Sequence, residues 1–405
     1  MADKREPDMQ NKPVLLVLAS TYPRWAGDHE PGFVHELGKR LVERFRVIVL
    51  CPHAQGAASA EVMDGVEVIR YRYAPQALET LVNDGGIVTN LKLHRWKLLL
   101  VPSFVLMQVW QAWRLCRQRQ IDVVHAHWLI PQGLIAAWLG KPFLVTSHGA
   151  DLYALRSKPL QMLKRWVLQK AQAATVVSSA MRDIAVQLGA DLTKISVVPM
   201  GVDMTDRFVP AQVEQRSRSE LLFVGRLVEK KGLRYLLQAL PMVLRERPDV
   251  TLTIAGFGPD EQSLKAQVHE LGLQHAVHFQ GAVAQKDLPA LYQRAALFVA
   301  PFVKAHSGDQ EGLPVALMEA VACGCPVVAG DVAGIGDLLG ALKEQICVDA
   351  RNTKLLAEKI CTELAQPERG KERACQVHRI ASTYVDWNRI SREYADLLSR
   401  MVIKK

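Results

Sequence analysis

What most constrains this chain is a series of short, uninterrupted apolar segments with helical patterns between them, and the series runs twice. Val14-Leu-Leu-Val-Leu-Ala ends in the turn-rich Ser20-Thr-Tyr-Pro, as expected of a strand buried on both faces. A helical pattern follows from Phe33 to Arg44. Further strands are expected at Val47-Ile-Val-Leu, Val66-Glu-Val-Ile, Val123-Val-His-Ala, Phe143-Leu-Val-Thr and Ala174-Thr-Val-Val. The second series starts at Leu221-Leu-Phe-Val and continues through Val250-Thr-Leu-Thr-Ile-Ala, Val277-His-Phe, Leu297-Phe-Val-Ala and Pro326-Val-Val-Ala. Strands that alternate with helices build parallel, doubly wound sheets. The fold class expected is α/β, with two Rossmann-like domains facing each other across a cleft. Such sheets bind ligands at the carboxyl ends of their strands. The polar, irregular stretch from Pro199 to Glu220 reads as the linker. The divisions expected are a flexible leader 1–12, a first domain 13–205, a second domain 206–383 and a terminal segment 384–405 that is helical from Tyr384 to Arg400.

Composition serves mainly to exclude. With 405 residues, 49% of them hydrophobic and 22% charged, the chain has material for two cores and is neither a disordered tail, a fibre nor a disulfide-stapled mini-protein. Its seven cysteines are irregularly spaced and read as reduced thiols, with no second pair or nearby histidine to make Cys323 and Cys325 a zinc site. The longest apolar run, Leu98 to Met107, is ten residues with Pro102 inside it, against the ~20 a membrane span needs, so no span is expected. Met1 to Lys12 lacks the apolar centre of a signal peptide, which points to a cytoplasmic chain. A net charge of +9 suits an anionic partner. The basic stretch from Lys92 to Arg119 holds Trp96, Trp110 and Trp113. It reads either as core-packed helices with basic ends or as a patch resting on anionic lipid.

Four segments carry chemistry-bearing residues. In Gly308-Asp-Gln-Glu311-Gly312-Leu313-Pro314-Val315-Ala-Leu-Met-Glu319, turn residues lead to Pro314, suited to the first position of a helix running to Cys323. Glu311 would sit on the lip, Glu319 on the second turn, and the N–H groups of Gly312, Leu313 and Val315 would form an anion site. The alternative is a capped surface helix with an incidental acid pair. In Phe223-Val-Gly-Arg226-Leu-Val-Glu-Lys-Lys231-Gly232, two cations leave one strand end, and a fork plus a point charge suits a pyrophosphate. A solvated basic loop is the alternative. Val145-Thr-Ser-His148-Gly-Ala-Asp151 would place His148 at a strand end facing the crevice, or as a hydrogen-bonded structural histidine. His125 and His127 are expected on opposite sides of their strand, so that at most one faces any site; neither is assigned a metal. In the loop Thr21 to Gly32, Gly32 could bring backbone close to a ligand. No Asp-x-Asp pair offers a metal clamp for a diphosphate, and Glu261 stands where the dinucleotide fingerprint has its third glycine.

Taken together the segments resemble a known family. Glu311 and Glu319 form an E-x7-E pair downstream of Gly225-Arg226…Lys231-Gly232, Val197-Val-Pro-Met-Gly-Val-Asp203 and Phe279-Gln-Gly-Ala-Val283. In this order, from about Val14 to Leu339, the chain resembles the retaining glycosyltransferases of family 4, which have the GT-B fold. The resemblance implies a nucleotide-sugar donor, UDP- or GDP-linked, and no metal or other cofactor. Arg226 and Lys231 would then hold the diphosphate and Glu319 the ribose hydroxyls. Backbone around Gly281 to Val283 would read the base, and Glu311 and His148 would flank the donor sugar. Gly32 would approach the diphosphate from the first domain, with Gly312, Leu313 and Val315 also on the donor side. The terminal helix would cross back onto the first domain. A hexose would pass, with its configuration retained, to a glycan or lipid-linked acceptor. The wording around Gly308 looks most like bacterial surface-polysaccharide enzymes, and nucleic acid is not an expected partner. Many members have an aromatic residue and a glycine where this chain has Leu313-Pro314, and Pro314 donates no N–H. A silent nucleotide-sugar-binding scaffold and a GT-B sugar-nucleotide epimerase are the rival readings.

Overall fold

A computed structural model describes residues 12–28, 32–83, 86–154, 156–211 and 216–402. The expected leader, but for Lys12, and the polar run at 212–215 lie outside the described residues. The first sheet comprises β1 (Val14–Leu18), β2 (Arg46–Pro52), β3 (Ala60–Met63), β4 (Val66–Tyr71), β5 (Val123–His127), β6 (Phe143–Ser147), β7 (Ala173–Val176) and β8 (Ile195–Val197). Its order is β3-β4-β2-β1-β5-β6-β7-β8, parallel throughout except for the β3–β4 hairpin. The second sheet comprises β9 (Glu220–Val224), β10 (Thr251–Ala255), β11 (Val277–Gly281), β12 (Leu297–Ala300), β13 (Val327–Gly330) and β14 (Cys347–Val348), ordered β11-β10-β9-β12-β13-β14 and all parallel. In both sheets the chain starts at the centre, winds outward on one side, then returns to build the other. Each reversal leaves a crevice at the carboxyl ends.

The central strands are buried along their length, Leu15 to Leu18 and Leu221 to Phe223 almost completely, which explains their unbroken apolar wording. β3 escaped the sequence reading because Ala60 and Val62 are exposed and only Met63 of its four residues is buried. Its signal was the turn Asp64-Gly65, whose backbone takes φ 47° and 80°, the two positive values a tight hairpin needs.

Two cores sandwich the first sheet. On one face the helix Phe33–Leu41 and the terminal helix Trp387–Met401 pack over Leu15, Val17, Val47 and Val49 through Trp387, Ile390, Tyr394 and Leu398. Asp386 caps that terminal helix by accepting from Asn388 N at 2.8 Å, and Val202 N donates to Val385 O at 2.8 Å. On the other face lies the helix Leu100–Gln118, packed through Phe104, Ala112 and Leu115. Preceded by the short turn Arg95–Leu99, it makes Arg95–Gln118 the one stretch, among the described residues, long and apolar enough to cross a membrane. The apolar run Leu98 to Met107, with Pro102 inside it, covers only part of this stretch. A proline in the first helical turn removes an N–H that has no partner there anyway, so the helix runs through it. Its inward stripe is committed to the sheet, with the Gln108 side chain donating to Ala19 O at 3.3 Å.

Candidate active site

The carboxyl ends of the two sheets meet where β6, β9 and β12 stop. On the second domain, β9 runs into Gly225-Arg226, and a short turn at Glu229–Lys231 precedes the helix Leu233–Glu246. Gly232 closes that turn with φ 71°. A Cβ there would stand 1.7 Å from Pro301 O, so only glycine lets the two strand-end loops touch. This contact folds the lysines back against the loop after β12. Lys231 Nζ lies 3.3 Å from Glu311 Oε2, and Lys230 Nζ lies 3.5 Å from Glu311 Oε1 and 3.3 Å from Asp309 Oδ2.

Burial alone would raise the Glu311 carboxyl, but Lys231 and Lys230 outweigh it and hold it down at about 2. Burial likewise works against the charge of Lys230, yet Glu311 and Asp309 raise its ammonium above the ordinary value. Lys231 shifts the other way: burial, with Lys230 and Arg226 nearby, outweighs Glu311. Both Lys–Glu311 separations exceed the ~2.7–2.9 Å of a tight charge-assisted bond, and each ammonium has three donors. The cluster therefore keeps capacity to take a further anion.

Glu319 occupies a different setting one helix further in. The helix begins at Val315, one residue later than expected. Pro314 keeps φ −72° but has ψ 120°, so it caps the helix instead of opening it. Its carbonyl accepts from Leu317 N at 3.1 Å and Met318 N at 3.2 Å, which leaves the N–H of Val315 outside the helix's own bonding. Glu319 is 4% exposed. It accepts from Gln285 Nε2 at 2.5 Å and from the Tyr292 hydroxyl at 2.9 Å. Burial pushes its carboxyl up to about 7, against the lowering effect of those two bonds. Val283 is half-buried, two residues before Gln285, so the loop expected to face a base also supplies a bond to Glu319.

The first domain presents His148 at the end of β6. Asp151 pins the turn, accepting at Oδ1 from Ser147 Oγ at 2.8 Å and His148 N at 3.3 Å, and at Oδ2 from Leu129 N at 2.8 Å. His148 Nε2 hydrogen-bonds His127 Nδ1 at 2.9 Å, and the two rings stack at 5.2 Å and 7°. Burial drives His148 down to about 3, so its ring is neutral. His125 and His127 do not point to opposite sides: their rings are 4.2 Å apart. Residues two apart on a strand share a face, so the expectation for this pair was wrong on geometry. Gly32 caps the helix Phe33–Leu41, its carbonyl accepting from Glu36 N at 2.8 Å. A Cβ on it would meet nothing within 4 Å, and the Phe33 ring lies 4.8 Å from the His148 ring.

The domains touch at two glycines. A Cβ on Gly149, whose φ is 120°, would stand 3.1 Å from Gly312 N, and one on Gly312 would stand 3.0 Å from His148 O. Leu313 is buried and Val315 half-buried beside this contact. Ser179 N donates to Asp337 Oδ2 at 2.5 Å across the same seam. The structure thus gathers Lys231, Glu311 and Gly312 with His148, sets Arg226 within electrostatic reach of Lys231, and keeps Glu319 in its own pocket. The sequence reading considered His127 but gave it no role, and it missed Lys230, Gln285 and Tyr292; of those three only Lys230, beside Lys231 in the quoted segment, left a local signal.

Comparison with known proteins places this architecture. Residues 33–206 match the model for Glycosyltransferase Family 4, and residues 205–376 match that for Glycosyl transferases group 1. A glycogen synthase of Mycobacterium tuberculosis is 26% identical over 408 residues, covering 95% of this chain and 94% of that one. A GDP-mannose-dependent alpha-(1-6)-phosphatidylinositol monomannoside mannosyltransferase of Mycolicibacterium smegmatis is 31% identical over 266 residues, 63% of this chain and 69% of that protein. The crystal structure of Anabaena Alr3699/HepE in complex with UDP and glucose superposes with TM-score 0.72 at 18% identity, over 96% of this chain and 100% of that one, a likeness of fold. With the two halves matched in succession and the mannosyltransferase this similar, the chain belongs to the group 1, family 4 glycosyltransferases and has their GT-B fold.

Proposed function

We propose that this chain is a retaining, metal-independent hexosyltransferase. It would take the sugar of a UDP- or GDP-linked donor and pass it to a glycan or lipid-linked acceptor, in bacterial surface-polysaccharide synthesis at the cytoplasmic side of the membrane. The observation that carries the reading is the Lys230–Glu311–Lys231 cluster with Arg226, set against neutral His148 across the cleft. The Mycolicibacterium smegmatis relative is named for GDP-mannose and a phosphatidylinositol-borne acceptor, and the Anabaena neighbour holds UDP and glucose. These support a nucleoside-diphosphate donor and leave its base between the two.

In this reading the bond from the anomeric carbon to the leaving phosphate oxygen breaks while the acceptor hydroxyl oxygen bonds to the same face. The hydroxyl proton passes to the departing phosphate. Such a step asks for stabilisation of negative charge more than for a strong base. Lys231 and Arg226 supply fixed positive charge where a divalent ion would otherwise stand, which supports metal independence. Glu311, ionised at any neutral pH, keeps Lys231 protonated and aimed. His148 donates or accepts one hydrogen bond through Nδ1, since Nε2 is taken by His127. The test is transfer from α-linked donors in EDTA, with the product's anomeric configuration read by proton NMR. An α-linked product at undiminished rate is expected; a β-linked product, or activity restored only by added metal, contradicts the reading.

A further inference from the structure

The helix Leu100–Gln118 buries one stripe on the sheet and turns a second outward, and that outward stripe is apolar too. Leu99 is 80% exposed, Leu106 66%, Trp110 47% and Trp113 49%. Trp96 stands just before them, and Trp138, on the neighbouring helix Leu134–Trp138 of the same core, is 70% exposed. A helix apolar on both faces needs a second apolar neighbour, and large exposed tryptophans in one area mark a contact surface.

Charge says what kind of surface. From Gly86 to Lys170 the chain has twelve Lys and Arg against two acids, Asp122 and Asp151, so this stretch carries +10 while the whole chain carries +9. Neither acid opposes the patch: Asp151 is buried on the His148 turn, and Asp122 accepts from Val14 N at 2.8 Å at the far end of β1. Arg114 and Arg117 are exposed and lie over the Trp110 and Trp113 rings, at 5.6 and 4.9 Å. An in-plane helix with tryptophans level with arginines is the arrangement that rests in the headgroup layer of an anionic bilayer.

We infer that the outward face of Leu100–Gln118, with the turn before it, is a docking surface for an anionic lipid bilayer. Its position makes this useful to the proposed reaction, on which the inference rests only for its purpose. Lys97 donates to Asn90 Oδ1 and Thr80 O, both at 2.9 Å, tying the turn to the helix Gly86–Leu93. A Cβ on Gly86 would lie 4.0 Å from Arg226 Nη1. The patch therefore begins one short helix away from the donor-side cation, so a bilayer seated on it would hold a lipid-linked acceptor beside the cleft.

The test is sedimentation of the full-length protein with vesicles of phosphatidylcholine alone or with one-quarter phosphatidylglycerol. Most of the protein is expected to pellet with phosphatidylglycerol vesicles at low salt, with a several-fold drop at high salt. Two double variants, W110S with W113S and R114Q with R117Q, are expected to lose binding several-fold at unchanged melting temperature. No pelleting at low salt, equal pelleting on phosphatidylcholine alone, or binding unmoved by either variant overturns the inference. So does a dimer seen by light scattering that the tryptophan variant splits, because the patch then covers a second copy of the chain. Vesicle binding needs neither donor nor acceptor, so its failure is distinct from failure of the stereochemical test.

Discussion

Two glutamates separated by seven residues in one segment illustrate how far surroundings outrank residue type. Glu311 faces two ammonium groups and is held at about 2; Glu319 faces a phenol and an amide and is pushed up to about 7. Burial pushes both carboxyls upward, so burial is not the difference. Glu311 comes from a loop that Gly232 lets approach the Lys230–Lys231 turn, whereas Glu319 sits inside a helix whose neighbours, Tyr292 and Gln285, carry no charge. One carboxyl works as a fixed charge and the other as a hydrogen-bond acceptor that changes state near neutrality.

The largest effects are expected on the charged side of this comparison. Lys231→Ala or Glu311→Ala should lower transfer at least ~10²–10³-fold, the loss usual for one well-placed charge or donor. Circular dichroism should remain that of the parent; near-normal turnover in both variants would mean the charge cluster is not the site. Glu311→Gln also leaves two ammonium groups facing each other with only Asp309 near. Removing one partner of a largely buried pair costs about 3 kcal/mol or more, so its denaturation midpoint should fall clearly below that of the wild type.

The comparison sharpens with pH, because the two carboxyls contribute with opposite sign. In the folded chain Glu319 holds its proton up to about 7, against 4.5 for an ordinary glutamate. The folded state therefore binds more protons than the unfolded one in that window, and stability falls as pH rises from about 4.5 to about 7, by about 3 kcal/mol. Glu311, ionised down to about 2, adds stability that is complete above 4.5 and lost as pH falls from about 4.5 to about 2. Urea denaturation at pH 5 and pH 8 should show the first slope in the wild type and its absence in Glu319→Gln. An unchanged slope would show that Glu319 does not titrate there.

The smallest effect concerns the opposite wall. His127→Phe keeps the stacked ring but removes the bond to His148 Nε2, worth about 1 kcal/mol. A roughly fivefold fall in kcat with little change in donor KM is expected. A change in KM alone would make His127 a packing residue without a positioning role.

How much of this was legible beforehand follows from how local each signal is. The central strands could be read because a strand buried on both faces spells itself in consecutive residues, whereas the short, half-buried edge strands β8 and β14 carry no such run. β3 could not be read that way, since its exposed side chains carry no burial pattern, yet Asp64-Gly65 announced its turn. Arg226, Lys231, Glu311, Glu319 and His148 stood out because each sits at a strand or helix end with turn residues around it. Gln285 and Tyr292 reach Glu319 across 34 and 27 residues, and nothing in their own segments marks them. The error over His125 and His127 was one of periodicity, since residues two apart on a strand share a face.

Transfer as proposed requires the cleft to take a nucleoside diphosphate through its fixed cations. Titration calorimetry of UDP, GDP and their hexose conjugates in EDTA, on the wild type and Lys231→Ala, tests this directly. One base should bind the wild type, raising its stability by ~2.7 kcal/mol at one hundred times the dissociation constant, and that binding should weaken at least tenfold in the variant. No binding of either base, or binding that Lys231→Ala leaves unchanged, would contradict the account.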